Sequence, residues 1–168
     1  MNTEKLSKFI SLILRHKPEE IGIALDSHGW AKVEELINGI NNSGRIIDME
    51  TLEEIVRTDN KKRYSFNADK TLIRANQGHS IKVDVEFKEL EPPSTLYHGT
   101  ATKSIASIKT QGIKSMSRLY VHLSKDFETA KQVGSRQGKG VVLLIDTKRM
   151  YEDGIKFYLS ENGVWLTE

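Results

Sequence analysis

Arg63-Tyr64-Ser65-Phe66-Asn67-Ala68-Asp69-Lys70-Thr71-Leu72-Ile73-Arg74 decides how the first half of the chain folds. Residues 63–66 and 71–74 are short strand-forming runs. Asn67-Ala68-Asp69-Lys70 between them has turn chemistry, so the stretch reads as a β-hairpin. Upstream the period changes. Leu6, Phe9, Ile10, Ile13 and Leu14 repeat at helical spacing, with Thr3 as the expected N-cap and Arg15-His16-Lys17 at the cation-favouring C-terminus. Pro18 stops that helix. Ser27-His28-Gly29-Trp30 reads as a turn. Val33, Leu36, Ile37 and Ile40 predict a second helix, ended by Asn41-Asn42-Ser43-Gly44. Asp48 is placed to cap a third helix bearing Met49, Leu52, Ile55 and Val56. Three helices followed by a hairpin predict a winged helix over residues 1–90.

Downstream, Glu86, Glu89 and Glu91 lead into Pro92-Pro93-Ser94, which pairs poorly inside a sheet, so a boundary is expected there. Residues 95–168 are expected to form a second lobe rich in short strands: 96–98, 120–123, 141–145, 157–159 and 164–166. Short helices are expected at 104–110 and 126–133, and a flexible basic loop at 134–140. The fold class expected from the whole is α+β, in two lobes.

Composition narrows the chemistry. With 168 residues, 38% hydrophobic and 29% charged, the chain has the make-up of a globular protein. No apolar run approaches the roughly 20 residues that span a bilayer, and no signal-peptide core opens the chain, so a cytoplasmic protein without membrane partners is expected. There is no cysteine, which excludes disulfides and thiolate catalysis. Residues 1–92 carry 14 Lys and Arg against 16 Asp and Glu, and residues 93–168 carry 11 against 7. Neither half is a broadly basic surface, so any nucleic acid must be held by a local cluster. Gly134-Ser135-Arg136-Gln137-Gly138-Lys139-Gly140 lacks the spacing of a phosphate-binding P-loop. Neither a His-Glu-x-x-His zinc motif nor a Gly-x-Ser-x-Gly nucleophile elbow is present, and no metal is expected.

Five segments stand out as candidates. Arg15-His16 alone reads as a solvated helix end, and Asp59–Tyr64 alone as a charged loop entering a strand. Ile73–Ser80 is harder to dismiss, because Gln77-Gly78-His79-Ser80 neither extends a strand nor makes an ordinary turn. In Tyr97-His98-Gly99-Thr100, a glycine after a strand histidine allows close approach of backbone to a ligand. Around Arg118, strand alternation puts Tyr120, His122 and Ser124 on one face.

Taken in order, Leu14-Arg15-His16-Lys17-Pro18, Asp26–Trp30, Lys61-Lys62-Arg63-Tyr64, Arg74–Ser80, Tyr97-His98-Gly99-Thr100, Met116-Ser117-Arg118, Val121-His122-Leu123-Ser124 and Asn162-Gly163-Val164-Trp165-Leu166 resemble the tRNA/RNA 2′-phosphotransferase family of the KptA type. The resemblance covers nearly the whole chain. It implies an N-terminal winged-helix lobe that binds RNA and a C-terminal lobe of the ADP-ribosyltransferase type that binds NAD as co-substrate.

It also implies a catalytic Arg-His-Arg-Arg tetrad in a cleft, falling on Arg15, His16, Arg63 and Arg118. The reaction implied has two steps. An RNA 2′-phosphate, such as one at a tRNA splice junction, attacks the nicotinamide ribose and expels nicotinamide. The ADP-ribose 2″-hydroxyl then attacks phosphorus, leaving 2′-hydroxyl RNA and ADP-ribose 1″,2″-cyclic phosphate.

Arginines suit a phosphate dianion, which needs aim and desolvation more than a base. His16 is expected either to move a proton or only to donate a hydrogen bond to the phosphate. By the same resemblance His98, Gly99, Thr100, His122, Ser124 and Val164 would bind the cofactor. Val164 stands where protein-modifying ADP-ribosyltransferases carry an acid. Gln77, His79 and Ser80 would line the cleft or touch substrate. Two other functions remain open: ADP-ribosylation of nucleic-acid ends, and a non-catalytic NAD-sensing winged-helix regulator. Relatives continue through a further strand past the 164–166 segment, so a truncated chain or a short member is expected. Monomer is the default state.

Overall fold

The computed structural model describes residues 3–116, 118–137, 139–160 and 162–167. Ser117 and Gly138 of the expected motifs lie outside the described residues. The chain divides into two compact units, Met1–Glu86 and Phe87–Glu168, and helices and sheets occur in both.

The first unit runs α1 (Thr3–Arg15), β1 (Ala31–Lys32), α2 (Val33–Asn42), α3 (Met49–Thr58), β2 (Tyr64–Phe66) and β3 (Leu72–Ala75). Leu6, Ile10, Ile13 and Leu14 bury the apolar face of α1 as their spacing predicts. Thr3 is the first helical residue and not the cap. Asp48 caps α3, its carboxylate accepting from the Thr51 backbone N–H at 2.8 Å. β2 and β3 form the expected hairpin, with Tyr64 opposite Ala75 and Phe66 opposite Ile73. β1 completes an antiparallel sheet in the order β1-β3-β2. At two residues, β1 is too short to leave a periodic signal. The three helices and the sheet enclose one core, in which Ile10, Leu14, Leu36, Ile40, Leu52 and Ile73 are fully buried.

The second unit begins earlier than the prolines imply. β4 (Lys88–Glu89) pairs antiparallel with β8 (Tyr158–Leu159), and the neighbouring Leu90 packs on the second core. The glutamate-rich approach to the prolines is therefore an edge strand, where exposed charges are tolerated. Pro93 is tied down as well, its carbonyl accepting from the Thr147 hydroxyl. β5 (Leu96–Ala101) pairs with β7 (Gly140–Ile145) along its whole length. A four-stranded sheet runs β4-β8-β9-β6, with β6 at Val121–Leu123 and β9 at Trp165–Thr167. Tyr97 and Ser124 exchange both backbone hydrogen bonds, each 2.8 Å, and so link β5 to the residue after β6. α4 (Ile105–Gln111), α5 (Phe127–Gly134) and α6 (Thr147–Glu152) complete the unit.

α6, capped by Asp146, leaves no pattern in the sequence, because one and a half turns carry too few apolar positions. The basic segment 134–140 is not one free loop. Gly134 ends α5, a 3₁₀ turn follows at Ser135–Gln137, and β7 starts at Gly140. Leu96, Val121, Leu123, Phe157 and Trp165 form the core of this unit. Among the described residues, no helix is long and apolar enough to cross a membrane.

Candidate active site

In the first unit, three expected residues are organised by one irregular segment, Asn76–Ser80, that leaves the end of β3. Arg15 ends α1 and His16 follows it. The Ser80 N–H donates to the Arg15 carbonyl at 3.0 Å, and the Ser80 hydroxyl is hydrogen-bonded to His16 Nδ1 at 2.8 Å. Gly78 adopts φ +91°, and a Cβ there would lie 3.1–3.2 Å from the Arg15 guanidinium. Its missing side chain is thus a seat for Arg15. Arg63 enters at the other end of the segment. The Asn76 N–H donates to the Arg63 carbonyl at 2.8 Å, and the Asn76 side-chain amide donates to the Lys62 carbonyl at 2.7 Å.

Arg63 is also held from its own side. Asp59, whose side chain is 6% exposed, accepts from Arg63 Nη1 at 2.6 Å and from the Arg63 backbone N–H at 2.9 Å. In the sequence Asp59 looks like part of a charged loop. Its signal was an Asp four residues before an Arg in a turn, where it can accept from backbone and guanidinium together. Arg15 and Arg63 both act electrostatically on Tyr64. Burial raises its phenol pKa, while the Ser7 hydrogen bond and then the Arg15 and Arg63 charges oppose that shift.

Behind these residues stands a buried polar layer. Arg74, Asn76, Gln77 and His79 are all buried. Arg74 stacks over Trp30, its guanidinium carbon 4.4 Å from the ring centroid. Burial, and then the charges of Arg15, His16 and Arg74, push His79 down to about 4. His79 is therefore neutral at physiological pH, a poor proton donor but a good strut among cations. Its ring lies against Gly29, at φ +84° in the turn after Asp26. A Cβ on Gly29 would be 3.4 Å from His79 Nε2. That nitrogen and the Gln77 Oε1 are buried without a hydrogen-bond partner among the described residues.

In the second unit His98, Gly99, Thr100 and His122 stand on regular strands, while Arg118 lies before β6, Ser124 after it and Val164 before β9. His98 of β5 donates from Nδ1 to the His122 carbonyl, 3.1 Å away, which leaves Nε2 as its second face. Arg118 Nη1 lies 3.1 Å from His122 Nδ1. A guanidinium only donates, so that nitrogen accepts and the neutral His122 ring carries its proton on Nε2. Loss of water around the Arg118 guanidinium, and then nearby Arg136, lower the Arg118 pKa. It stays a cation at neutral pH. His122 is half-buried, between the buried Val121 and Leu123 that point the opposite way. Val164 precedes β9, and its N–H donates to the Ser160 hydroxyl at 3.0 Å.

Gly99 has a structural explanation that the sequence did not suggest. A Cβ there would lie 1.7 Å from the Ala130 carbonyl oxygen of α5. Gly134 and Gly140 meet the same crowding, with built Cβ atoms at 2.8 Å from the Thr100 nitrogen and the Gly134 carbonyl carbon. Three glycines thus bring α5 backbone directly onto the β5-β7 pair.

A concavity lined by Lys32, Glu34, Ile37, Asn38, Lys70 and Leu72, among others, contains none of the expected residues. Among the described residues no His, Asp and Glu are grouped to hold a metal ion.

Comparison with known proteins agrees with the ordered motifs. The family model described as RNA 2′-phosphotransferase, Tpt1 / KptA family, matches residues 1–168. A Fusobacterium nucleatum protein named probable RNA 2′-phosphotransferase is 62% identical over 168 residues, covering 99% of this chain and 94% of its own. Proteins of the same name from Flavobacterium johnsoniae and Pseudomonas syringae pv. tomato are 53% and 48% identical. Each covers 98% of this chain, and 91% and 89% of its own length. With the match running from end to end, the chain belongs to the RNA 2′-phosphotransferase family.

Proposed function

We propose that this protein is an NAD-dependent RNA 2′-phosphotransferase, moving an internal RNA 2′-phosphate to NAD through an RNA-2′-phospho-ADP-ribose intermediate. Nicotinamide, 2′-hydroxyl RNA and ADP-ribose 1″,2″-cyclic phosphate are the products. The observation that carries this reading is the anchoring of Arg15, His16 and Arg63 on Asn76–Ser80 in a unit that is otherwise slightly acidic. Several cations fixed at one place are what a phosphate dianion requires. The first unit is read as a winged helix from its order α1-β1-α2-α3-β2-β3. The second is read as an ADP-ribosyltransferase-like lobe.

Arg15, Arg63 and Arg118 are assigned to the phosphate oxygens. They desolvate and aim the nucleophile in the first step and stabilise charge on phosphorus in the second. His16 serves the second step, as proton carrier or as hydrogen-bond donor. His98, Thr100, His122 and Ser124 are assigned to NAD, whose nicotinamide is the leaving group of the first step. The hydrogen bonds to His98 Nδ1 and His122 Nδ1 fix both rings, which favours a cofactor site over mobile surface histidines. Val164 contributes no carboxylate, so the ribose 2″-hydroxyl stays free to attack. Gly99 contributes through its backbone alone.

The test supplies a 2′-phosphorylated oligonucleotide and NAD and follows all three products. Arg118→Ala is expected to lower turnover by about 10²–10³-fold, and normal turnover would remove Arg118 from the phosphate. His16→Ala is expected to accumulate the RNA–ADP-ribose adduct. Adduct without cyclic phosphate in the unmodified protein would replace this reading with simple ADP-ribosylation of RNA.

A further inference from the structure

We infer that Ser80 is a positioning residue for His16: its hydroxyl fixes imidazole Nδ1, so that Nε2 is the atom His16 presents to the reacting groups. The inference rests on the function proposed above and names a residue through which its second step is controlled. The geometry is a two-point anchorage from one residue. The Ser80 backbone N–H holds the Arg15 carbonyl at 3.0 Å, and its hydroxyl reaches His16 Nδ1 at 2.8 Å, across 64 positions of sequence. The base from which the hydroxyl reaches is itself fixed. Gly78 is turned to φ +91° beneath Arg15, and His79 is only 3% exposed. An imidazole at a helix end otherwise turns freely about its side-chain bonds. Here one ring nitrogen is taken, and the ring plane follows.

The residue type suits the task. A serine hydroxyl donates or accepts with equal ease, so it holds the ring with a lone pair on Nε2, with a proton on Nε2, or as imidazolium. A carboxylate in its place only accepts, so it would hold Nδ1–H and disfavour the neutral ring with its proton on Nε2. Ser80 therefore keeps His16 in one position whether His16 gives a hydrogen bond or carries a proton. No rearrangement of the ring is needed between the two steps.

The test combines kinetics with a direct view of the ring. Ser80→Ala leaves the backbone N–H that supports Arg15 intact and removes only the hydroxyl. It is expected to lower kcat about tenfold, the scale of one lost orienting hydrogen bond, while KM for NAD and RNA stays within about twofold. Ser80→Thr is expected to recover most of the loss. In a His16→Ala background the Ser80→Ala change is expected to have no further effect, because Ser80 acts through His16. Nitrogen-15 spectra of the imidazoles, with His16 assigned by its loss in His16→Ala, are expected to show both His16 ring signals moving in Ser80→Ala. Unchanged ring signals, wild-type kcat, or an equal loss with and without His16 each overturn the inference. An unmodified protein inactive on RNA and NAD would instead remove the functional reading. The ring spectra then still decide whether Ser80 orients His16.

Discussion

The two units hold their candidate side chains by opposite means. In the first, Arg15, His16 and Arg63 come from the end of a helix and the start of a strand. Hydrogen bonds to one irregular segment and to Asp59 fix them. In the second, His98 and His122 stand on β5 and β6, and those strands are located by ladder pairing and by glycines that bring α5 into backbone contact. The contrast shows where precision resides. A polar scaffold passes its errors mainly to chemistry, because each tie contributes only about 1 kcal/mol to folding. A backbone-contact scaffold passes its errors to stability, because displaced strands unpack a core.

The sharpest way to break the comparison is Gly99→Ala. A methyl 1.7 Å from the Ala130 carbonyl forces α5 off β5, and the second unit is expected to lose about 3 kcal/mol or more. Urea unfolding followed by hydrogen exchange should show amides of β5 and β7 losing protection while those of α1 and β3 keep theirs. Unaltered protection in β5 would mean that the close approach is not required.

Next in size is the acid sensitivity of the first unit. His79 is held neutral, with a pKa near 4 against about 6.5 when unfolded. The unfolded chain therefore takes up the proton first as pH falls. The stability that His79 contributes is complete above about pH 6.5 and is lost on acidification towards pH 4, by at most about 3 kcal/mol. His28, raised by its hydrogen bond to the Asp84 carbonyl, acts in the opposite sense but is solvent-screened. Denaturant midpoints between pH 4 and 7 should flatten in His79→Gln. A slope identical to the parent would show that another group is responsible.

The smallest stability effect, yet the most telling for the polar scaffold, belongs to Gly78→Ala. Alanine at φ +91° is strained by about 1–2 kcal/mol. Its methyl also presses on the Arg15 guanidinium. Turnover is expected to fall more than that strain alone explains, about tenfold or more, with the fold retained by circular dichroism. A melting shift with full activity would show that Arg15 does not depend on this seat.

Much of the molecule was legible in the chain. α1, α2 and α3 announced themselves through helical spacing and the Asp48 cap, and the 64–75 hairpin through its turn residues. Short elements were not legible. β1 and β4 have two residues each, and α6 has six, below the length at which a period is recognisable. The candidate site shows the same division. Arg15, His16, Arg63 and Arg118 were picked out by ordered motifs. Asp59 is outside those motifs, and Asn76 is inside one without a distinct role, because a residue that accepts or donates locally looks like any other loop polar.

The sequence by itself determined which residue types are available for phosphate chemistry and the order in which they occur, since side-chain charge and helical or strand period are local properties. Only the tertiary structure decided what supports them. Ser80 meets His16, Gly78 lies under Arg15, and Gly99 lets α5 approach β5. Each of these depends on a distance between chain segments far apart in sequence. A polymer's local pattern does not contain such distances until packing closes the loops between them.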